Sequence, residues 1–198
     1  MLALGRVDKQ GMERFHFFFV CTGNRCRSPF AEALVSSLTY NLPVAVGSAG
    51  TIEASPAHVP AEMRLVARAH DLDLSRHNSR PLSAVDLSGA DLVLGFERDH
   101  VEGAITDAAA PPEATFTLPE MIRLLGRIPV PVETDPILRG RAMVDAANGL
   151  RGGRPRLVGW HELADPMGGS SREFEIMAST LASLCEMLVA RLFRRKAA

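Results

Sequence analysis

Residues 15–29 of this 198-residue chain read FHFFFVCTGNRCRSP. The first part, Phe15–Cys21, is an aromatic and β-branched run of strand length. Ser28 and Pro29 are typical of a helix start, with Ser28 as the N-cap and Pro29 at the first helical position. The stretch therefore predicts a strand, a short loop and a helix, with the loop at the carboxyl end of the strand.

Strand and helix patterns continue to alternate along the rest of the chain. Short apolar segments at 42–48, 91–96 and 115–118 are predicted to be strands, and the segment 57–70 has the apolar spacing of a helix. This alternation predicts an α/β fold: a three-layer sandwich with a central, mostly parallel four-stranded sheet flanked by helices on both faces. Ligands of such sheets bind beyond the carboxyl ends of the strands.

The last helix has the clearest pattern in the sequence. Ser170 and Glu173 fit a capping box, in which the two residues satisfy each other's backbone groups. The apolar residues after them keep a three- or four-residue spacing: Phe174, Met177, Leu181, Leu184, Leu188 and Leu192. This spacing predicts a long helix with one buried stripe, and Cys185 lies next to that stripe.

The chain length is typical of one domain. We expect residues 1–14 to form a flexible N-terminal extension and residues 15–198 to form a single domain. The segment at about 128–155 is rich in proline, glycine and arginine around one helical piece at 137–147. We interpret it as an inserted surface helix and loop, with a flexible lid over the functional site as the alternative.

Composition and charge exclude several classes of protein. Twenty-two basic and 23 acidic side chains give a net charge of −1, which lacks the basic footprint of a nucleic-acid-binding protein. The chain has neither an uninterrupted apolar run of about 18 residues nor a signal-peptide pattern. Three cysteines are too few for a disulfide framework, and their spacing does not indicate zinc. We expect a cytoplasmic protein without a nucleic-acid partner, membrane insertion, metal or cofactor.

The loop between the first strand and the first helix carries the strongest functional signal. Gly23 and Asn24 tolerate a left-handed backbone, so successive N–H groups can turn inward and form an anion-binding nest. The helix start and the planar guanidinium of Arg27 add donors at the same place. Cys21 lies at the base of this nest, where the positive field favours a thiolate. These residues predict a sulfur nucleophile aimed at a bound phosphate group.

The string VCTGNRCRSPFAEA, residues 20–33, resembles the phosphate loop of the low-molecular-weight protein tyrosine phosphatase family, C-x5-R-S. In that family an Asp-Pro pair follows late in the chain, and Asp165-Pro166 stands here just before the last helix. Segments 48–51, 77–82 and 90–94 also match. The resemblance covers roughly residues 15 to 195 and implies the fold predicted above.

The resemblance also implies the roles of three catalytic residues. Cys21 would attack phosphorus and form a cysteinyl-phosphate. Arg27 would hold the phosphoryl oxygens and stabilise the charge that spreads over them in the transition state. Asp165 would protonate the leaving oxygen and then act as the base for water. Metal is not needed, because the loop and Arg27 supply the positive field.

The other residues of the loop would line the phosphate site: Thr22, Gly23, Asn24, Arg25, Cys26 and Ser28. By resemblance, Ser28 would hydrogen-bond the thiolate, Asn24 would hold the loop in shape, and His77 would support it. Cys26 has two interpretations. It is either a small core side chain or, as the family implies, the partner of a reversible disulfide with Cys21.

The surroundings of the predicted acid depart from the family pattern. Relatives that act on phosphotyrosine place tyrosines directly after Asp-Pro, whereas Met167-Gly168-Gly169 follow here. Trp160, five residues before the acid, is a candidate replacement for that aromatic wall, or else a core anchor. Arg25 is either a solvated side chain or an extra cation that favours an acidic substrate.

These observations predict a metal-independent phosphatase for phosphotyrosine or other aryl or small phosphate monoesters. Its partners would be a phosphorylated protein or a small phosphate ester, and the sequence carries no signal of oligomeric state. One alternative is arsenate reduction on the same anion-binding loop, although Cys185, in mid-helix, is poorly placed for an internal thiol relay. Another is a phospho-ligand binding module without turnover, which would need neither Cys21 nor Asp165.

Overall fold

We analysed a computed structural model of the chain, which describes residues 2–3, 12–53, 57–129, 131–152 and 162–193. The strands are β1 (Leu2–Ala3), β2 (Phe15–Cys21), β3 (Val44–Gly50), β4 (Val85–Asp86), β5 (Leu92–Gly95) and β6 (Thr115–Thr117). The helices are α1 (Arg27–Leu38), α2 (Ala61–Arg68), α3 (Arg98–Ala108), α4 (Leu118–Leu125), α5 (Pro136–Arg151) and α6 (Ser171–Phe193).

The central sheet has four parallel strands in the order β3-β2-β5-β6, which confirms the predicted architecture. Phe15, Phe17 and Phe19 point to one face of β2 and belong to the larger core, which also includes buried residues of α1, α4, α5 and α6. Phe18 and Val20 point to the other face and pack in a smaller core with residues of α3. The sheet is thus covered on both sides, as in other α/β folds.

Strand β2 lies between β3 and β5, so the chain leaves it on one side and later returns on the other. Parallel sheets open a crevice at such a point, beyond the carboxyl ends of the strands. Cys21 is the last residue of β2 and pairs in register with Gly50 at the end of β3. The fold therefore positions the predicted nucleophile at the mouth of this crevice.

Two predicted boundaries shift for local reasons that involve proline. The strand predicted at 42–48 runs instead over Val44–Gly50, because Pro43 has no N–H to donate to a ladder. The helix predicted at 57–70 is shorter, Ala61–Arg68, with Pro60 in extended backbone at its N-cap. Its predicted inner face, formed by Met63, Val66 and Ala67, is buried as expected.

Helix α5 lies in the segment interpreted as an insertion, and it is longer than the predicted 137–147. It buries one face against the core and leaves little room there: a Cβ built on Gly140 would lie 2.7 Å from the ring of Phe15. The described residues of this segment do not line the cavity discussed below. The domain boundaries, including the extension at 1–14, remain predictions, and most of that extension lies outside the described residues.

Helix α6 closes the larger core. The carboxylate of Glu173 accepts hydrogen bonds from both the N–H and the hydroxyl of Ser170, so the predicted contact between these residues exists. Among the described helices, α6 is the one that is long and apolar enough, by length and composition alone, to span a membrane. Half of the tested window is buried in the protein, and the core helix of a soluble protein passes the same test.

Candidate active site

The loop after β2 wraps around the sulfur of Cys21. The backbone N–H of Asn24 donates to Cys21 Sγ at 3.2 Å, and Ser28 Oγ lies 2.9 Å from the same sulfur. Asn24 Nδ2 donates to Ser28 Oγ at 2.9 Å, which leaves the serine proton available to the sulfur. The sulfur is thus surrounded by donors that stabilise negative charge on it.

Asn24 fastens the loop to its surroundings. Its backbone is left-handed, with φ of 49°, and its side chain is fully buried. Besides Ser28, Nδ2 donates to Ser48 Oγ at 2.8 Å, and Oδ1 accepts from the backbone N–H of Arg80 at 3.0 Å. His77 Nε2 lies 3.0 Å from the Asn24 carbonyl oxygen. Asn24 and His77 therefore occupy the supporting positions that the resemblance implied, although Gly23 does not share the left-handed backbone.

Burial of His77 lowers its pKa, so the ring is neutral near neutral pH.

Gly50 lets the end of β3 approach the loop closely. A Cβ on Gly50 would lie 2.7 Å from the carbonyl oxygen of Thr22 and 2.8 Å from the nitrogen of Asn24. No side chain fits there without moving the loop backbone.

The predicted N-cap role of Ser28 is wrong. Helix α1 begins at Arg27 after the N-cap Cys26, and no side chain caps it. The Ser28 hydroxyl points instead toward Cys21 and Asn24, because the loop brings the sulfur within hydrogen-bond distance. The first N–H groups of α1 are therefore free of a side-chain cap, as an anion site at a helix N-terminus requires.

Arg27 has no solvent exposure, and carboxylates and neutral oxygens hold its two terminal nitrogens. Nη1 donates to the carboxylate of Glu97 and to the carbonyl oxygen of Leu163, the latter at 2.8 Å. Nη2 donates to Asp165 Oδ2 at 2.6 Å and to Thr22 Oγ1 at 3.1 Å. Nε is buried and has no partner among the described residues. A buried, unpartnered guanidinium N–H at this place is what an oxyanion would satisfy.

Asp165 reaches this centre from the loop before α6. One carboxylate oxygen pairs with Arg27, and the other accepts the N–H of Met167 at 3.1 Å. The carboxylate lies in the same cavity as the sulfur of Cys21, with part of its surface exposed. The structure thus brings the predicted acid, Asp165, next to the predicted nucleophile at the end of β2 and the predicted cation at the start of α1, which lies 138 residues before it.

A cavity of about 310 Å³ opens above these groups. Its lining includes most of the loop and residues from three other stretches of the chain: Cys21, Thr22, Gly23, Arg25, Cys26, Arg27, Ile52, Ala57, Ser79, Asp165 and Met167. Ile52 and Met167 are about half exposed and supply apolar surface at the mouth. Trp160, the predicted wall, lies outside the described residues.

The other two cysteines are poor nucleophiles. Burial, followed by the negative charges of Asp165 and Cys21, raises the pKa of Cys26 to about 12. Burial also raises the pKa of Cys185, which lies in the core of α6. Cys26 contacts Met167 Sδ at 3.3 Å, which agrees with a packing role. Its redox pairing with Cys21 stays a prediction.

Two residues of this site were missed by sequence reasoning, Glu97 and His100. Glu97 pairs with Arg27, and His100 Nε2 lies 3.0 Å from Thr22 Oγ1. Both follow the carboxyl end of β5, which neighbours β2 in the sheet. Their place after a buried central strand was the signal that could have found them, because the ends of parallel strands meet at one edge.

The site combines a thiol, a loop of hydrogen-bond donors with Arg27, and a carboxyl group. Such a set can transfer a phosphoryl group to sulfur and then to water. Across the part of the chain that the structure describes, no three His, Cys, Asp or Glu side chains converge in a way that could hold a metal ion.

Comparisons with known proteins agree with this chemistry. The family profile described as low molecular weight phosphotyrosine protein phosphatase matches residues 16–126. The low molecular weight protein-tyrosine-phosphatase Wzb of Salmonella typhi is 40% identical over 90 residues, which span 46% of this chain and 58% of Wzb. A protein-arginine-phosphatase of Bacillus subtilis is 37% identical over 106 residues, or 52% of this chain and 70% of that protein.

Solved structures match over a larger part of the chain. A YwlE arginine phosphatase variant with a phosphorylated active-site serine superimposes with a TM-score of 0.65 at 25% identity and covers 92% of this chain and 98% of its own. A low molecular weight protein tyrosine phosphatase from T. tengcongensis gives a TM-score of 0.66 at 22% identity, over 90% and 99% of the two chains. The second match shows the shared fold.

Proposed function

Because the chain belongs to the low molecular weight phosphotyrosine protein phosphatase family, we propose that it hydrolyses phosphate monoesters through a cysteinyl-phosphate on Cys21. The observation that carries this proposal is that Cys21, Arg27 and Asp165 line one cavity. The Nε of Arg27 is buried and has no hydrogen-bond partner among the described residues. The residues provide every group that the reaction needs without a metal or cofactor.

In the first step, the thiolate of Cys21 attacks phosphorus and the bond to the leaving oxygen breaks. Arg27 and the loop N–H groups bind the three phosphoryl oxygens, whose charge is spread in the transition state. Asp165 gives its proton to the leaving oxygen, so that an alcohol or phenol departs. The solved YwlE variant with a phosphorylated active-site serine supports a covalent route for this fold.

In the second step, water attacks phosphorus and the sulfur–phosphorus bond breaks. Asp165, now a carboxylate, takes a proton from the water. The sulfur leaves as a thiolate, and the hydroxyl of Ser28 donates to it at the 2.9 Å separation seen here. Orthophosphate then leaves, and the cavity returns to its starting state.

Phosphotyrosine in proteins is the substrate that we propose. Ile52 and Met167 give the mouth of the cavity apolar surface that suits an aromatic leaving group. Arg25 lines the same cavity, and its Nε donates to the carbonyl oxygen of His58 at 3.0 Å, which places the cation at the rim. A phosphorylated arginine would bring a guanidinium next to this cation, so like charges disfavour the arginine substrate of the Bacillus relative.

Small aryl phosphates would be accepted as well, because the loop and Arg27 would contact only the phosphoryl group. We further propose a cytoplasmic location, consistent with a protein whose cysteines are all free thiols. Arsenate reduction with an internal relay finds no support, since Cys185 is buried in α6 away from the cavity lining.

The test is turnover of p-nitrophenyl phosphate and of phosphotyrosine and phosphoarginine peptides by the reduced protein, with a chelator present. We expect phosphate release that persists with the chelator and disappears in Cys21→Ser, with the tyrosine peptide preferred. Arg25→Thr should raise the relative rate on the arginine peptide. Orthophosphate binding without turnover of any substrate would favour a binding module, and turnover of arsenate with a thiol but not of phosphate esters would favour the reductase.

A further inference from the structure

His100 is a buried polar residue that contacts the phosphate loop from another element. It lies in the first turn of α3 and is 1% exposed. Its Nδ1 accepts hydrogen bonds from the backbone N–H groups of Phe96 and Glu97, at 3.3 and 3.1 Å. Its Nε2 lies 3.0 Å from Thr22 Oγ1. One ring thus joins the end of β5 to the loop around Cys21.

These contacts determine which ring nitrogen carries the proton. A nitrogen that accepts two N–H donors has no proton of its own, so the neutral ring is protonated at Nε2. Burial, reinforced by the charge of Arg27, lowers the pKa of His100 to about 4, which keeps the ring neutral near neutral pH. His100 therefore donates to Thr22, and the reverse direction is excluded.

Thr22 connects His100 to the guanidinium of Arg27. Its Oγ1 accepts from His100 Nε2 and also from Arg27 Nη2, at 3.1 Å. The same Nη2 also donates to Asp165. In the proposed reaction this hydrogen bond must break when the carboxyl group of Asp165 protonates the leaving oxygen. Thr22 is the neutral partner that stays on Nη2 through that change.

We propose that His100 is a positioning residue of the anion site: it holds Thr22 Oγ1 as the acceptor for Arg27 Nη2 and so aims the guanidinium at the bound oxyanion. The inference rests on the proposed phosphate site but not on turnover. Without the donor at Nε2, the Thr22 hydroxyl is free to rotate and Arg27 loses a fixed partner. The loss of one such hydrogen bond corresponds to about a three- to tenfold loss of anion affinity.

Two substitutions at His100 separate this role from a structural one. Asn places its side-chain oxygen near the position of Nδ1, so His100→Asn keeps the acceptor for the two N–H groups and removes the donor to Thr22. Gln places its amide near the position of Nε2, so His100→Gln keeps that donor and removes the acceptor. We expect His100→Asn to keep its melting temperature but bind orthophosphate about three- to tenfold more weakly by calorimetry. His100→Gln should melt earlier but bind orthophosphate almost as tightly as the wild type.

A second pair of variants at Thr22 completes the test. Thr22→Val should weaken orthophosphate binding by a similar factor, Thr22→Ser should restore it, and His100→Asn should add little in the Thr22→Val background. Full orthophosphate affinity in a folded His100→Asn variant, or independent effects at the two positions, would overturn the proposal. If His100→Asn does not fold, His100→Gln decides: it keeps the donor to Thr22, so weak orthophosphate binding by this variant would overturn the proposal. Because binding is the readout, absence of turnover in the wild type would contradict the proposed function and leave this test intact.

Discussion

Arg27 shows how a single side chain can depend on the whole site. Nitrogens at the two ends of its guanidinium are held by Glu97, Leu163, Asp165 and Thr22, and Nε faces no partner among the described residues. A buried charge is tolerated only when it is paired and hydrogen-bonded. The carboxylates therefore stabilise Arg27 in the free protein, and one of them, Asp165, is also the proposed acid.

This double use of Asp165 leads to a prediction at the residue scale. Asp165→Asn removes the proton donor, so hydrolysis of aryl phosphates should slow by about 10²–10⁴. The drop should be smaller for p-nitrophenyl phosphate than for phenyl phosphate, because a good leaving group needs less protonation. Steady-state rates on the two esters provide the measurement.

The same substitution also removes a negative charge from Arg27. Orthophosphate binding by Asp165→Asn should therefore be as tight as in the wild type or tighter. An equal loss of rate on both esters together with weaker orthophosphate binding would show that Asp165 acts by holding Arg27 rather than as an acid.

At the scale of elements, α5 is fixed to the sheet by a close approach at Gly140. Its missing side chain faces the ring of Phe15 at the start of β2, and the ring of Phe193 in α6 lies 3.1 Å from the same built Cβ. The helix that sequence analysis interpreted as an insertion is in this way part of the larger core.

We predict opposite effects of alanine at two glycines of α5. Gly140→Ala should lower the free energy of unfolding by about 1–3 kcal/mol, because the new methyl group overpacks against Phe15. Gly149→Ala should raise it by about 0.5–1 kcal/mol, because nothing lies within 4 Å and alanine favours the helix. Urea unfolding measures both, and a shift of the two variants in the same direction would refute the packing argument.

Elements near the loop show what the sequence could predict and what it could not. The strand β2 and the residues of the loop form one continuous motif, and its composition alone indicates an anion site. Glu97 and His100 lie 70 and 78 residues away from their partners in the loop, and no local pattern marks them. Their roles depend on β5 lying next to β2 in the sheet. This neighbour relation is a property of the sheet topology and not of the local sequence.

Local contacts, and not helix propensity, also determine details at the starts of α1 and α2. Ser28 has the composition of an N-cap, but the nearby sulfur takes its hydroxyl. Pro60 delays the start of α2 although the apolar spacing begins earlier. Contacts and backbone restrictions that the apolar spacing does not show therefore set these details.

At the scale of the whole molecule, buried histidines link stability to pH. The pKa of His100 falls from 6.5 to about 4 on folding, and that of His77 is also lowered, in both cases chiefly through burial. Between pH 6.5 and about 4, His100 binds more protons in the unfolded chain than in the folded one. Its contribution to stability is therefore fully present above pH 6.5 and is lost as the pH falls toward 4. Glu120, whose pKa burial raises, acts in the opposite direction as the pH rises above its ordinary value of 4.5.

We therefore predict a loss on the order of 3 kcal/mol from His100 between pH 6.5 and pH 4. Urea unfolding across this range measures it, and His100→Asn, which removes the titrating group, should flatten the dependence. An equally steep loss in that variant would assign the effect to other groups.

The pairing of Arg27 with two carboxylates has a consequence for how the site selects among anions in a mixture. Asp165 already pairs with Nη2 of Arg27, so an incoming anion that uses this nitrogen must compete with an internal carboxylate. We expect chloride, which has no oxygens, and bicarbonate, which is planar and singly charged, to gain less from the loop than a tetrahedral phosphoryl dianion does. The proposed site should therefore bind a phosphoryl dianion in preference to more abundant monovalent anions.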